Sequence, residues 1–122
     1  MSQSRLKSYR DLEVWRRSKT FVVEIYRVTK GFPRQERFGL IDQMRRAAVS
    51  IPSNVAEGQI KGSDKSFAFH LHVALGSAAE LDTQLEIALD VGYLQAELHQ
   101  GLATELQEIM KMLRGLLKAV SR

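Results

Sequence analysis

One stretch constrains this chain more than any other: Gln43 to Gly58, in which Met44, Ala48, Ile51 and Val55 fall at spacings of four, three and four residues. Such spacing puts all four on one face of an α-helix. Gln43, Arg46, Ser50, Asn54 and Glu57 follow the same rhythm and form a polar ridge beside that face. Pro52 interrupts the pattern. It has no N–H to give to the carbonyl of Ala48, and its ring crowds that carbonyl, so a kink is expected. Gly58 then offers a left-handed residue at which the helix can stop. Two readings fit an apolar row, a polar ridge and a bend on one helix. It is either a core helix shaped to its neighbours or a helix whose ridge touches a partner.

The rest of the chain has the same helical rhythm. Only two prolines and eight glycines punctuate 122 residues, which favours long helices over many strands. Residues 1–10 are polar and basic without periodicity and read as a loose tail; residues 11–122 read as a single domain. A first helix is predicted over 12–29 with Asp11 as its N-cap. Its apolar arc, from Leu12 and Val14 through Phe21 and Ile25 to Val28, is about twice as wide as one core requires. Trp15 and Tyr26 within that arc are candidate anchors of a subunit interface. Gly31-Phe32-Pro33 breaks the chain, and the Pro52 helix follows over about 35–58. Ser63 caps a third helix over about 64–91, with Phe67, Leu71, Ala74, Ala78, Leu81, Leu85 and Ala88 as its core row. Gly76 to Ala79 keep its middle thin enough for a neighbouring backbone to come close. A fourth helix runs over about 95–120, with Leu98, Leu102, Leu106, Ile109, Leu113, Leu116 and Val120 inward. Four amphipathic helices with short connections predict an all-α, antiparallel up-and-down four-helix bundle.

Several chemistries have no residues to support them. With no cysteine, there is no disulfide framework, thiolate metal site or thiol nucleophile. None of His70, His72 and His99 has a glutamate three positions before it, as a di-iron bundle needs. No glycine-rich phosphate loop is present, and no pattern sets a base beside Ser50 or Ser77. An enzyme, a metal and a cofactor are therefore not expected. The N-terminus lacks the apolar stretch of a signal peptide and no uncharged run is long enough to span a bilayer, so a cytoplasmic protein is expected. Charge is unevenly spread: +7 over residues 1–62 and −3 over residues 63–122, within a net +4. Such asymmetry fits a polyanion partner, or subunits that dock basic part to acidic part.

Several separated blocks occur together in a meaningful order. They are Asp11-Leu12-x-Val14-Trp15, Phe32-Pro33, Gln43-x-Arg45-Arg46-Ala47-Ala48-x-Ser50-Ile51-Pro52-Ser53-Asn54-x-Ala56-Glu57-Gly58, Ser66-Phe67, and Ala74-Leu75-Gly76-Ser77-x-x-Glu80-Leu81. In these blocks the chain resembles the four-helix-bundle proteins encoded within intervening sequences of bacterial 23S ribosomal RNA genes. The resemblance covers roughly residues 9–95. It implies a homo-oligomeric ring, most simply a pentamer, and a similarity to the accessory variability determinant of diversity-generating retroelements, a basic ring that binds RNA and its reverse transcriptase. It also implies that Ser50, Pro52, Asn54, Glu57, Gly58, Ser77 and Glu80 form a structural motif where the second and third helices approach.

Two functions follow as expectations. In the first, Arg16, Arg17, Arg27, Arg45 and Arg46, with Lys111, Arg114 and Lys118, neutralise phosphates of a structured RNA or other nucleic acid. In the second, the ring is a scaffold for a protein partner, and its charges serve subunit docking. No membrane role is expected.

Overall fold

A computed structural model describes residues 8–121. Its four α-helices are α1 (Glu13–Thr29), α2 (Leu40–Ile60), α3 (Asp64–Asp90) and α4 (Ala96–Val120). Single 3₁₀ turns at Tyr9–Asp11 and Arg34–Glu36 precede α1 and α2. Each helix packs on the next in the chain, and α1 closes against α4, which is an up-and-down four-helix arrangement. The α2–α3 contact is the most extensive and the α1–α4 contact the thinnest.

The core forms where the sequence rhythm puts it. Met44, Ala47, Ala48, Ile51 and Val55 of α2 face Phe67, Leu71, Ala74, Ala78, Leu81, Leu85 and Ala88 of α3 in one continuous buried cluster. From α1 come Val14, Phe21 and Ile25, and from α4 come Leu102, Leu106, Ile109, Met110, Leu113 and Leu117. Burying each large aliphatic side chain contributes about 1.5–3 kcal/mol. Two polar residues complete the inner face of α1 by turning back on their own helix. The Ser18 hydroxyl donates to the Val14 carbonyl at 2.7 Å, and the Thr29 hydroxyl to the Ile25 carbonyl at 2.7 Å.

Several boundaries differ from the sequence expectation. Residues 1–7 of the expected tail lie outside the described residues, but Ser8, Tyr9 and Arg10 are built into a capped turn. The Ser8 hydroxyl accepts from the Arg10 N–H, and the Asp11 carboxylate accepts from the Ser8 N–H. Asp11 therefore caps that turn, and Leu12 takes the N-cap position of α1 without a side-chain bond. Helix α2 starts at Leu40 rather than near 35, because Arg34–Glu36 coil more tightly and Gly39 takes a non-helical conformation.

Gly58 does not end α2. The helix continues to Ile60, and Gly62, with φ of +84°, takes the left-handed position. Gly58 is instead buried within the helix, where a Cβ would stand 2.7 Å from the Cβ of His70. In the thin middle of α3, nothing lies within 4 Å of a Cβ built on Gly76, while Ala78 is buried and Ser77 meets Ser50 of α2. The close backbone approach occurs at Gly58. In α4, Leu98 is 46% exposed rather than inward, while Leu94 just before the helix is buried. Leu117 carries the inward position, with Leu116 and Val120 half-buried beside it.

Candidate nucleic-acid interface

The connection between α1 and α2 is held by one carboxylate. Glu36 accepts from the Tyr93 hydroxyl at 2.8 Å and from the Leu40 N–H at 3.1 Å. Tyr93 belongs to the α3–α4 connection and packs against Phe32, with ring centroids 5.4 Å apart. Both connections lie at one end of the bundle and are pinned together there. The Leu40 N–H first, and the Tyr93 hydroxyl second, hold the Glu36 carboxyl below its ordinary range. The same bond pushes the Tyr93 phenol up.

So engaged, Glu36 makes no ion pair with the cations around it among the described residues. Lys30, Arg34, Arg37 and Arg45 line an open depression of about 500 Å³ with Thr29 and Phe32. Among the described residues none of those four cations is in an ion pair. Arg45 is the fixed member. Its Nε donates to the Thr29 hydroxyl at 2.9 Å, its Nη2 to the Tyr26 carbonyl at 3.3 Å, and its guanidinium lies 4.4 Å from the Tyr26 ring centroid. Thr29 is fully buried, so this anchor comes from the core. A second depression, of about 630 Å³, lies on the other side of Arg45 and is lined by Tyr26, Asp42, Arg46, Val49, Ser50 and Ser53.

The other expected basic residues are scattered. Arg46 pairs with Asp42 at 3.0 Å and Arg27 with Glu24 at 2.9 Å, both on exposed faces. Arg16 donates to the Arg10 carbonyl at 2.7 Å, near the start of α1. Arg17 is committed to the bundle: it grips Glu105 of α4 through two bonds of 2.7 and 3.0 Å and touches Glu13 at 3.4 Å. The Glu105 hydrogen bonds, against some desolvation, hold its guanidinium more firmly charged than usual. Lys111, Arg114 and Lys118 are exposed on the C-terminal half of α4, toward the end of the bundle away from the Arg45 corner. The structure thus brings Arg45 and Arg46 together, keeps Arg27 on the neighbouring helix, and sets the remaining five apart. Lys30, Arg34 and Arg37 are the residues that sequence reading missed. Their spacing of four and three residues in the connection was the available signal.

Between α2 and α3 runs a chain of polar groups. Ser77 meets Ser50 at 2.8 Å, and the Asn54 amide donates to the Ser50 carbonyl at 2.8 Å and hydroxyl at 3.0 Å. The Ser50 carbonyl fixes the amide orientation, which leaves the Asn54 oxygen to accept from His70 Nδ1 at 2.9 Å. His70 Nε2 must then accept from the Lys61 ammonium, also at 2.9 Å. Lys61 in turn lies 3.6 Å from Glu57. His70 is only 5% exposed, and both its ring nitrogens are satisfied. Ser50, Asn54 and Ser77 therefore bridge the helices directly. Glu57 takes part only through Lys61, and Glu80 only holds Gln84 of its own helix at 3.2 Å. Pro52 is buried inside α2. Trp15 is half-buried under Tyr9, at 5.2 Å between ring centroids, whereas Tyr26 is 39% exposed. Of the other histidines, His72 is exposed, and His99 has an enclosed Nε2 without a protein partner.

These features define an all-helical bundle with one cation-rich corner and a hydrogen-bonded α2–α3 seam. The chain belongs to the 23S rRNA-intervening sequence protein family, whose model matches residues 10–115. It is similar to a crystal structure, at 1.70 Å resolution, of a protein with unknown function from the S23 ribosomal protein family of Bacteroides thetaiotaomicron VPI-5482. The two share 27% identity and superpose with a TM-score of 0.80, covering 86% of this chain and 95% of that one. No curated protein matches the chain.

Proposed function

We propose that this protein is a non-catalytic, cytoplasmic RNA-binding bundle that works as a homo-oligomeric ring of five copies. The observation that carries the reading is the corner of Lys30, Arg34, Arg37 and Arg45, four cations around one depression that make no ion pair among the described residues. Clustered cations outside ion pairs attract polyanions, and binding releases the polyanion's condensed counterions. Membership of a family named for 23S rRNA makes RNA the polyanion of choice. One corner alone binds weakly. Five copies on a ring would raise the affinity through effective concentration without any base readout.

The test is fluorescence anisotropy with a labelled RNA hairpin across a salt series. Four phosphates neutralised per engaged protomer give a slope of log K against log salt of about −3 to −4. Replacing Arg34 and Arg37 together by Glu should abolish binding at all salt concentrations. Absence of binding at low salt refutes the RNA reading, and a light-scattering mass equal to one protomer refutes the ring. A second reading, a protein-interaction scaffold, draws on the exposure of Phe38, Ile60 and Phe69. It gains if the particle assembles, ignores RNA and comes apart in salt.

A further inference from the structure

Arg45 separates two depressions of different chemistry, and that difference bears on which kind of RNA the corner can hold. On one side four cations and the buried Thr29 anchor stand with Phe32 and Ile41. On the other, α2 presents Asp42, Arg46, Val49, Ser50 and Ser53 along one face, with Tyr26 of α1 at its rim. From Ile41 to Ser53 this face is about 18 Å long, at 1.5 Å per residue. Tyr26 and Val49 are 39% and 40% exposed. With the Arg45 guanidinium over part of the Tyr26 ring, the rest of the ring and Val49 form an apolar surface next to charge, against which an unstacked base can rest. The Ser53 side chain is exposed and makes no hydrogen bond among the described residues. Ser50 is different, being occupied by Ser77 and Asn54.

A duplex could use the cations, and its shallow groove could offer Ser53 a 2′-hydroxyl, but it has no unstacked base to give. Its bases are stacked inside, and its outer face offers phosphates, so Tyr26 and Val49 would stay wet. An unpaired strand can use both halves, with phosphates over Lys30, Arg34, Arg37 and Arg45, a base against Tyr26 and Val49, and a ribose hydroxyl toward Ser53. Aromatic surface beside a basic groove is how single strands are held, and the 2′-hydroxyl is what separates RNA from DNA.

We infer that the two depressions together form a binding site for a short single-stranded RNA segment, with Tyr26 and Val49 as the base platform and Ser53 as the ribose contact. The inference rests on the RNA-binding reading and deepens it.

The test compares three probes of one sequence and about ten nucleotides: unstructured RNA, the same RNA paired to its complement, and the matching single-stranded DNA. Anisotropy is read at several salt concentrations on the full assembled protein. Single-stranded RNA should bind about tenfold tighter than the duplex, which has no unstacked base to offer Tyr26, and about tenfold tighter than the DNA, which lacks the 2′-hydroxyl. Tyr26→Ala should remove most of the preference over duplex, and Ser53→Ala most of the preference over DNA, with the salt slope unchanged. Ser53→Ala disturbs no observed bond and so guards against misfolding as an explanation. Lys65→Glu, on the exposed start of α3, should change nothing beyond a small general loss. Equal binding of single strand and duplex, or no effect of Tyr26→Ala and Ser53→Ala, overturns this site while leaving RNA binding intact. Failure of all three probes overturns both.

Discussion

Replacing Gly58 by Ala should destabilise the fold although alanine is the better helix former. A Cβ at Gly58 would stand 2.7 Å from His70 Cβ, 3.1 Å from Phe67 Cδ1 and 3.3 Å from His70 Cγ. Carbons rest at about 3.5–4.0 Å, so α2 and α3 would have to part locally by about 1 Å. The obstructing atom is a Cβ fixed to the α3 backbone, which cannot swing away as a side-chain tip can. Overpacking of this kind costs about 1–3 kcal/mol. Helix propensity returns about 1 kcal/mol. The net expectation is a loss of up to about 2 kcal/mol, or up to about 8 °C in Tm for a chain of this size. Gly76→Ala is the matched control, since nothing lies within 4 Å of its Cβ. It should gain about 0.5–1 kcal/mol, the propensity term alone. Circular-dichroism melts of the two variants and the parent at one protein concentration decide the matter. A Gly58→Ala variant that melts at or above the parent would refute the close-approach argument.

Three further measurements probe the bundle ends and seams. Acidification should expose Glu36, whose depressed carboxyl contributes stability that is present above its ordinary pKa of about 4.5 and lost as pH falls through its lower folded value. Glu36→Gln should therefore be the weaker protein at pH 7 and lose less of its Tm than the parent on acidification; parallel losses would contradict the pinning. Arg17→Glu should lower Tm and loosen the thin α1–α4 seam, and pairing it with Glu105→Arg should restore much of the loss, which a double-mutant cycle would detect. At high salt the difference between Arg17→Glu and its parent should shrink, because both side chains are partly open to solvent.

The architecture was legible because burial in a bundle repeats at helical spacing. The α3 row from Phe67 to Ala88 and its Ser63 cap stand as the residues predict. The rest depended on what lies across from each residue, which spacing does not carry. Gly58 looked like a terminator because glycine has two uses, left-handed turns and close contacts, and only His70 opposite it distinguishes them. Leu98 fits an inward heptad, but α4 starts at Ala96, so the position falls in its first turn, where α1 covers it poorly. The candidate site was half visible. Arg45 and Arg46 stood out within a regular helix. Lys30, Arg34 and Arg37 were hidden in a non-periodic connection, and the sequence does not show that Glu36 turns toward Tyr93 rather than pairing with them. His70 was unassigned because its partners, Asn54 and Lys61, are 16 and 9 residues away.

The line of bonds from Ser77 through Ser50, Asn54 and His70 to Lys61 acts as a vernier between two surfaces. Ala47, Ala48, Ala74 and Ala78 give α2 and α3 shallow relief at those positions. A shift by one residue would strand an imidazole and an amide inside the protein, each at a cost of about 1–3 kcal/mol. The pair of helices is thus locked lengthwise by chemistry as well as by the fit of Gly58 against His70 and Phe67. Drift at His70 in a descendant of this chain would have to be answered at Asn54 or Lys61 in step.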